Sequence, residues 1–242
     1  MSGPLRRVAA VALVVGIAAC GGDDEAEPAA SGAPTAAEPL LVMPIGDSIT
    51  AGPYYRLPLT RAAAADEQCH VDFVGSFTGV GDVDLDLTGL DLDHQAAGGA
   101  TSDQIVTFVG EALREITPDV ALVYVGTNDF YNEIDRDATI ENLEALIERL
   151  RSANPRVRVV LAEIMPAIGV EDGVAALNAR IAEIGDRLDS SASAVEVLDF
   201  ATDVDVEADL IDGVHPNRRR SAAMADIWAG AVAPLAGEGC RL

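Results

Sequence analysis

Lysine is absent from this chain. Its 16 basic residues are all arginine, set against 40 aspartates and glutamates, for a formal net charge of −24. Neutralising a phosphate backbone takes clustered cations, so the balance argues against a nucleic-acid partner. Histidine is almost as scarce: His70, His94 and His215 are the only three. No His-Glu-x-x-His occurs, nor cysteine pairs at zinc spacing, so no metal centre is expected. A Gly-x-Ser-x-Gly is missing, which removes the usual nucleophile elbow of the α/β-hydrolase fold. A Gly-x-Gly-x-x-Gly after the first strand is missing too, which argues against dinucleotide binding. The longest apolar run, "VAAVALVVGIAA" (8–19), has twelve residues and is too short to span a bilayer as a mature helix.

That run has the form of a targeting segment, with Arg6 and Arg7 as its positive flank. It ends in "IAAC" (17–20), which resembles the bacterial lipobox. The resemblance implies that Cys20 carries a lipid and that the protein is extracytoplasmic, either held at a membrane by this anchor or secreted. "GGDDEAEPAASGAPTAAEP" (21–39) is rich in Gly, Pro, Ala and acid without periodicity, and reads as a tether. The expected organisation is therefore a signal peptide over 1–19, a linker over 20–39 and one folded domain over 40–242. Two cysteines remain, Cys69 and Cys240. In an oxidising compartment they are candidates for a disulfide tying the C-terminal tail to the start of the second strand.

About half of the chain is apolar, 49%, enough for a substantial core. Val-, Leu- and Ile-rich runs at 40–45, 70–75, 120–126, 157–164 and 194–200 read as strands buried on both faces. Between them, 57–68, 102–116, 137–153, 173–188 and 218–235 carry helical periodicity, with Ser102 as the expected N-cap of the second. Alternation of this kind predicts an α/β fold: three α/β/α layers around a five-stranded parallel sheet. In such sheets ligands bind beyond the carboxyl ends of the strands, so functional residues should come directly after strands.

The segments at those strand ends are polar and rich in small residues. "GDSIT" (46–50) places Ser48 after the first strand. "AAGGAT" (96–101) brings Gly98 and Gly99, whose backbone can approach a ligand closely. "GTND" (126–129) succeeds the third strand with Asn128, as an amide donor or an Asx turn. "DGVHP" (212–216) lies beyond the fifth, with Asp212 and His215 three apart. His70 opens a strand and reads as structural, whereas His94 sits in a loop with no assigned role. The acidic run 81–93 resembles a calcium loop only superficially, since Leu87 stands where an EF-hand needs Gly, and reads as a solvated acidic loop.

Together the four blocks resemble the GDSL/SGNH hydrolase superfamily of secreted esterases and lipases. They span Gly46 to Pro216, and the resemblance implies that the five-stranded parallel sheet has flavodoxin-like order. The resemblance implies Ser48 as nucleophile, His215 as general base and Asp212 as its orienting carboxylate. It also implies an oxyanion hole of the Ser48 and Gly99 backbone N–H groups with the Asn128 side chain. Gly99 is chosen over Gly98 because "DHQAAGGATSDQI" (93–105) looks like the "HEGxSGxxxxQI" run of the acetylxylan-esterase-like branch, carbohydrate esterase family 3. Gln95 and Ala96 replace its Glu-Gly, and Gly98 its Ser. "YRLPL" (55–59), "VDFVGS" (71–76) and "MADIW" (224–228) add to the likeness. It implies small-molecule or polysaccharide ester substrates and no cofactor. Longer acyl chains, or a non-catalytic binding protein on the same fold, are the alternatives.

Overall fold

The computed structural model describes residues 38–81 and 84–242; the signal segment, Cys20 and the linker up to residue 37 lie outside them. In chain order the elements are β1 (Leu40–Gly46), α1 (Ser48–Ala51), α2 (Arg56–Ala65), β2 (Val71–Phe73), β3 (Gln95–Ala96) and α3 (Ser102–Ala112). They continue with β4 (Val120–Tyr124), α4 (Thr127–Tyr131), α5 (Arg136–Ala153), β5 (Arg158–Ala162), α6 (Glu171–Leu188), β6 (Val195–Leu198), α7 (Val206–Asp209) and α8 (Arg218–Ala236).

The five apolar runs form one sheet in the order β2-β1-β4-β5-β6, every pair parallel. This is the flavodoxin-like order that the family resemblance implies. The sheet has one strand more than expected: Gln95–Ala96 pairs with the last two residues of β1. The two-residue β3 is too short to leave a periodic signal, and its segment reads as loop in the sequence. The order reverses between β1 and β4, which opens a crevice at their carboxyl ends. Register puts Gly46 beside Tyr124 on one side and Ala96 on the other.

Helices flank the sheet in two groups, α2 with α8, and α3 with α5 and α6. Their apolar stripes, such as Ile140, Leu143, Ile147 and Leu150 of α5, are buried. Two local readings need correction. The α3 helix is capped by Thr101, one residue earlier than Ser102, with the Gln104 side chain returning to the Thr101 N–H at 3.2 Å. "GTND" is not a free Asx turn but the start of the short helix α4. Four of the few aromatic side chains are gathered in the core, where Trp228 meets Phe200 at 4.9 Å and Tyr55 at 5.6 Å, and Phe200 meets Tyr124 at 6.2 Å. Burial of each such ring contributes on the order of 1.5–3 kcal/mol.

The acidic run is not simply solvated. Asp91 is half buried and its carboxylate accepts the Phe73 N–H at 2.6 Å. Leu92 and Val80 form a small apolar cluster with Leu57, with Leu87 and Leu90 against it. Alternation of Leu and Asp thus turns Leu87, Leu90 and Leu92 inward while Leu85 stays exposed, a packing signal that the dense charge conceals.

Cys69 and Cys240 form a disulfide across 171 residues, with their Cα atoms 4.6 Å apart. Beside it the His70 N–H donates to the Ala236 carbonyl at 2.9 Å. The bond closes a loop of nearly the whole domain, so its removal should cost about 2–4 kcal/mol. A Cys69→Ser, Cys240→Ser double variant should show that loss in urea unfolding, and added reductant should produce the same shift in wild type only.

Candidate active site

Ser48 occupies the corner between β1 and α1. Gly46 is required there: a Cβ would collide with the Thr50 side chain and the Tyr124 carbonyl. Asp47 caps α1, its Oδ1 accepting the Ile49 N–H at 2.9 Å. Ser48 is therefore the first helical residue after a tight exit from the sheet.

The imidazole of His215 reaches that corner from the far end of the chain. Its Nε2 lies 2.8 Å from Ser48 Oγ, and its Nδ1 lies 2.9 Å from Asp212 Oδ2. Asp212 Oδ1 accepts the backbone N–H of His215 at 2.9 Å and of Val214 at 3.1 Å. Partial desolvation alone would raise the Asp212 pKa, but these donors outweigh it and hold the carboxyl down at about 2. The loop itself is closed by the Ile211 N–H donating to the His215 carbonyl at 2.7 Å and by the bridge between Leu210 and Pro216. On its exposed side the His215 ring stacks on Tyr54, centroids 5.3 Å apart.

Two further segments converge on Ser48. The Ala97 N–H donates to the Gly46 carbonyl at 3.1 Å, and the turn Ala97–Ala100 is closed by a 3.2 Å bond. Gly99, with φ +74°, takes the position that demands glycine. Gly98 faces Ser48, and a Cβ there would stand 4.0 Å from that of Ser48. Asn128 donates one amide N–H to the Ala100 carbonyl at 3.1 Å. Its neighbour Asp129, buried, accepts the Ser102 N–H at 2.8 Å and the Thr139 hydroxyl at 2.7 Å. Asp129 thus locks α3, α4 and α5 together beneath Asn128.

All five residues singled out in the sequence, Ser48, Gly99, Asn128, Asp212 and His215, come to one rim. Sequence reading misses four others. Tyr54 backs the imidazole. Arg56, 1% exposed, donates to the carbonyls of Thr50, Ala51, Gly79 and Leu92 and so ties the serine segment to the 77–93 loop. Burial lowers its pKa to about 10, against the pull of nearby Tyr55 and acidic groups, so it remains a cation at neutral pH. His94, placed in a loop by the sequence, is bridged to Phe77 and buried at the site. Asp47 is the fourth. Three of the four stand in runs quoted for the family likeness, Asp47 in "GDSIT", Arg56 in "YRLPL" and His94 in "DHQAAGGATSDQI", whereas Tyr54 carries no such signal.

Ser48 opens into a cavity of about 400 Å³ whose walls include Phe77, Val80, His94 and Gly98. A second cavity, about 620 Å³, lies across Tyr54 and is bounded by Leu57, Leu85, Ile211 and Pro216. A hydroxyl hydrogen-bonded to an imidazole, itself oriented by a carboxylate, is the arrangement on which a serine hydrolase is built, set here on an open parallel sheet.

Comparison with known proteins agrees. Residues 45–221 match the model of the GDSL-like Lipase/Acylhydrolase family, and the chain belongs to that family. It is similar to a carbohydrate esterase family 3 structure from Talaromyces cellulolyticus, at 25% identity and TM-score 0.74, covering 81% of this chain and 97% of that one. Clostridium thermocellum family 3 carbohydrate esterase gives 26% identity and TM-score 0.68, covering 83% and 100%. A multidomain esterase of Ruminococcus flavefaciens is 26% identical over 227 residues, 83% of this chain but only 29% of that protein.

Asp47 generates a prediction. Its carboxyl is 1% exposed, and its Oδ2 has no partner among the described residues. Burial pushes its pKa up to about 6, against the Ile49 N–H and the His215 charge, which pull it down. An acid whose folded pKa exceeds its unfolded value, about 3.9, binds more protons folded than unfolded between the two. Stability contributed by this group therefore falls as pH rises from about 4 to 6, by an upper bound of about 3 kcal/mol. Asp47→Asn keeps the acceptor for Ile49 and removes the titration. Urea unfolding at pH 4 and pH 7 should show the variant gaining stability relative to wild type at the higher pH.

Proposed function

We propose that this protein is a serine esterase that removes short acyl groups, acetyl above all, from carbohydrate. The observation that carries the reading is the 2.8 Å approach of His215 Nε2 to Ser48 Oγ. In the proposed mechanism His215 takes the Ser48 proton as the hydroxyl attacks the ester carbonyl. Asp212 holds the imidazole in the required tautomer and stabilises its charge. The oxyanion receives the Ser48 and Gly99 backbone N–H groups and the second N–H of Asn128, the first being held by Ala100. Collapse expels the alcohol with the proton from His215. Water, activated by the same imidazole, then releases the acid.

The similar structures support the substrate class: both are family 3 carbohydrate esterases, and a further one is an acetyl esterase mutant solved with an acetate ion, 26% identical at TM-score 0.74. The walls of the Ser48 cavity fit a small acyl group beside a polar alcohol. The larger apolar cavity beyond Tyr54 favours a second reading, a lipase, lysophospholipase or thioesterase taking longer chains. The lipobox-like "IAAC" (17–20) supports an extracytoplasmic location with Cys20 lipidated.

Wild type should hydrolyse 4-nitrophenyl acetate faster than the octanoate and should release acetate from acetylated xylan, with full activity after chelator treatment and dialysis. Octanoate preference would favour the lipase reading. Ser48→Ala should abolish turnover and labelling by a fluorophosphonate, whereas failure of folded wild type to label would favour a non-catalytic binder. Asn128→Ala should lower kcat about a hundredfold or more with little change in folding. Cys20→Ala expressed in a bacterial host should move the protein from the membrane fraction to the soluble one.

A further inference from the structure

The third histidine of the chain has a determined tautomer and an unused donor. His94 Nδ1 accepts the backbone N–H of Ala96 at 3.1 Å. A ring nitrogen that accepts carries no proton, so in the neutral ring the proton sits on Nε2. Burial, reinforced by the nearby Arg56 charge, lowers the His94 pKa to about 3, so the ring stays uncharged at working pH. Nε2–H has no hydrogen-bond partner among the described residues. The residue is only 5% exposed, and its remaining exposure is to the Ser48 cavity, which it lines together with Gly98.

The ring is also held rigidly. His94 and Phe77 exchange backbone hydrogen bonds of 2.8 and 3.1 Å, and their rings stack with centroids 5.9 Å apart. Phe77 in turn meets Phe108 edge-on at 6.2 Å. The Leu92 carbonyl two residues before it is fastened by Arg56 at 2.9 Å. A donor whose ring is fixed in this way and which is reached only from the Ser48 cavity offers an oxygen entering that cavity a partner of set geometry.

We propose that His94 is a specificity-determining residue whose Nε2–H donates to an oxygen on the alcohol side of the ester, a free hydroxyl neighbouring the acylated one in a polyol. The assignment rests on the esterase reading above. An acetyl group has one acceptor, its carbonyl, and that oxygen is taken by the oxyanion donors. The remaining acceptors of such a substrate belong to the alcohol. An uncharged donor suits a hydroxyl and gives no special advantage to a carboxylate or phosphate.

The experiment compares a monoacetylated xylopyranoside bearing a free hydroxyl beside the acetyl with its deoxy counterpart, in wild type, His94→Phe and His94→Gln. Wild type should favour the hydroxylated ester in kcat/KM by about ten- to a hundredfold, the scale of a buried hydrogen bond left unmade. Whatever the absolute rates, His94→Phe should bring that ratio to about one. His94→Gln, with an amide donor of similar reach, should restore part of it. A merely structural role would slow both esters alike and leave the ratio intact, which overturns the proposal, as does a wild-type ratio near one. The wild-type comparison needs no variant and so stands even where a substitution prevents folding. Activity on 4-nitrophenyl acetate separates the two levels: wild type inert on every ester refutes the esterase reading, whereas an active wild type indifferent to the neighbouring hydroxyl refutes only the role of His94.

Discussion

Because the paired strands all run in the same direction, every strand end that carries a polar loop falls on the same rim of the sheet. That alignment brings together Ser48, Asn128 and His215, which come after β1, β4 and the segment beyond β6. The reversal of order between β1 and β4 adds the opening. Parallel strands need long crossovers, and each crossover helix buries its apolar stripe against the sheet. The same hydrophobic pattern that stabilises the domain therefore also delivers its chemistry to one edge.

The rim is held by polar contacts that are individually modest and mutually dependent. Arg56 binds four carbonyls from two segments, and its charge is accommodated by those dipoles rather than by an ion pair. Asp129 receives donors from α3 and α5 and keeps Asn128 in place. Asp212 receives two backbone N–H groups before it meets the imidazole. Arg56 and Asp129 do this from buried positions and Asp212 from an exposed one; each positions a neighbour, and removing it would leave several partners unsatisfied. Asp47 is the exception: with one oxygen unpartnered among the described residues, it stores a cost at the Ser48 corner.

The two cavities on either side of Tyr54 frame the question of substrate. The smaller contains the serine and the uncharged donor of His94; the larger is apolar and lies beyond the imidazole. A ring shared by both can pack against His215 on one side and border substrate on the other. The acidic loop packs Leu87, Leu90 and Leu92 against Leu57 and Val80, and Val80 lines the smaller cavity, so a segment that looks like a charge run supports its wall.

The sequence by itself determined the strands, the long helices and the parallel sense of the sheet, because these come from local apolar period and from the alternation of strand with crossover helix. It also determined the candidates Ser48, Asn128, Asp212 and His215, because each stands after a strand in a recognisable block. Helix ends were legible only to within a few residues, and the two-residue β3 was not legible at all. Only the tertiary structure decided which of the three histidines share the site, that Gly98 faces Ser48 while Gly99 takes the left-handed turn, and that Arg56 and Asp91 are turned inward. Those facts depend on contacts between residues far apart in the chain, where burial and hydrogen-bond satisfaction are settled by packing rather than by local pattern.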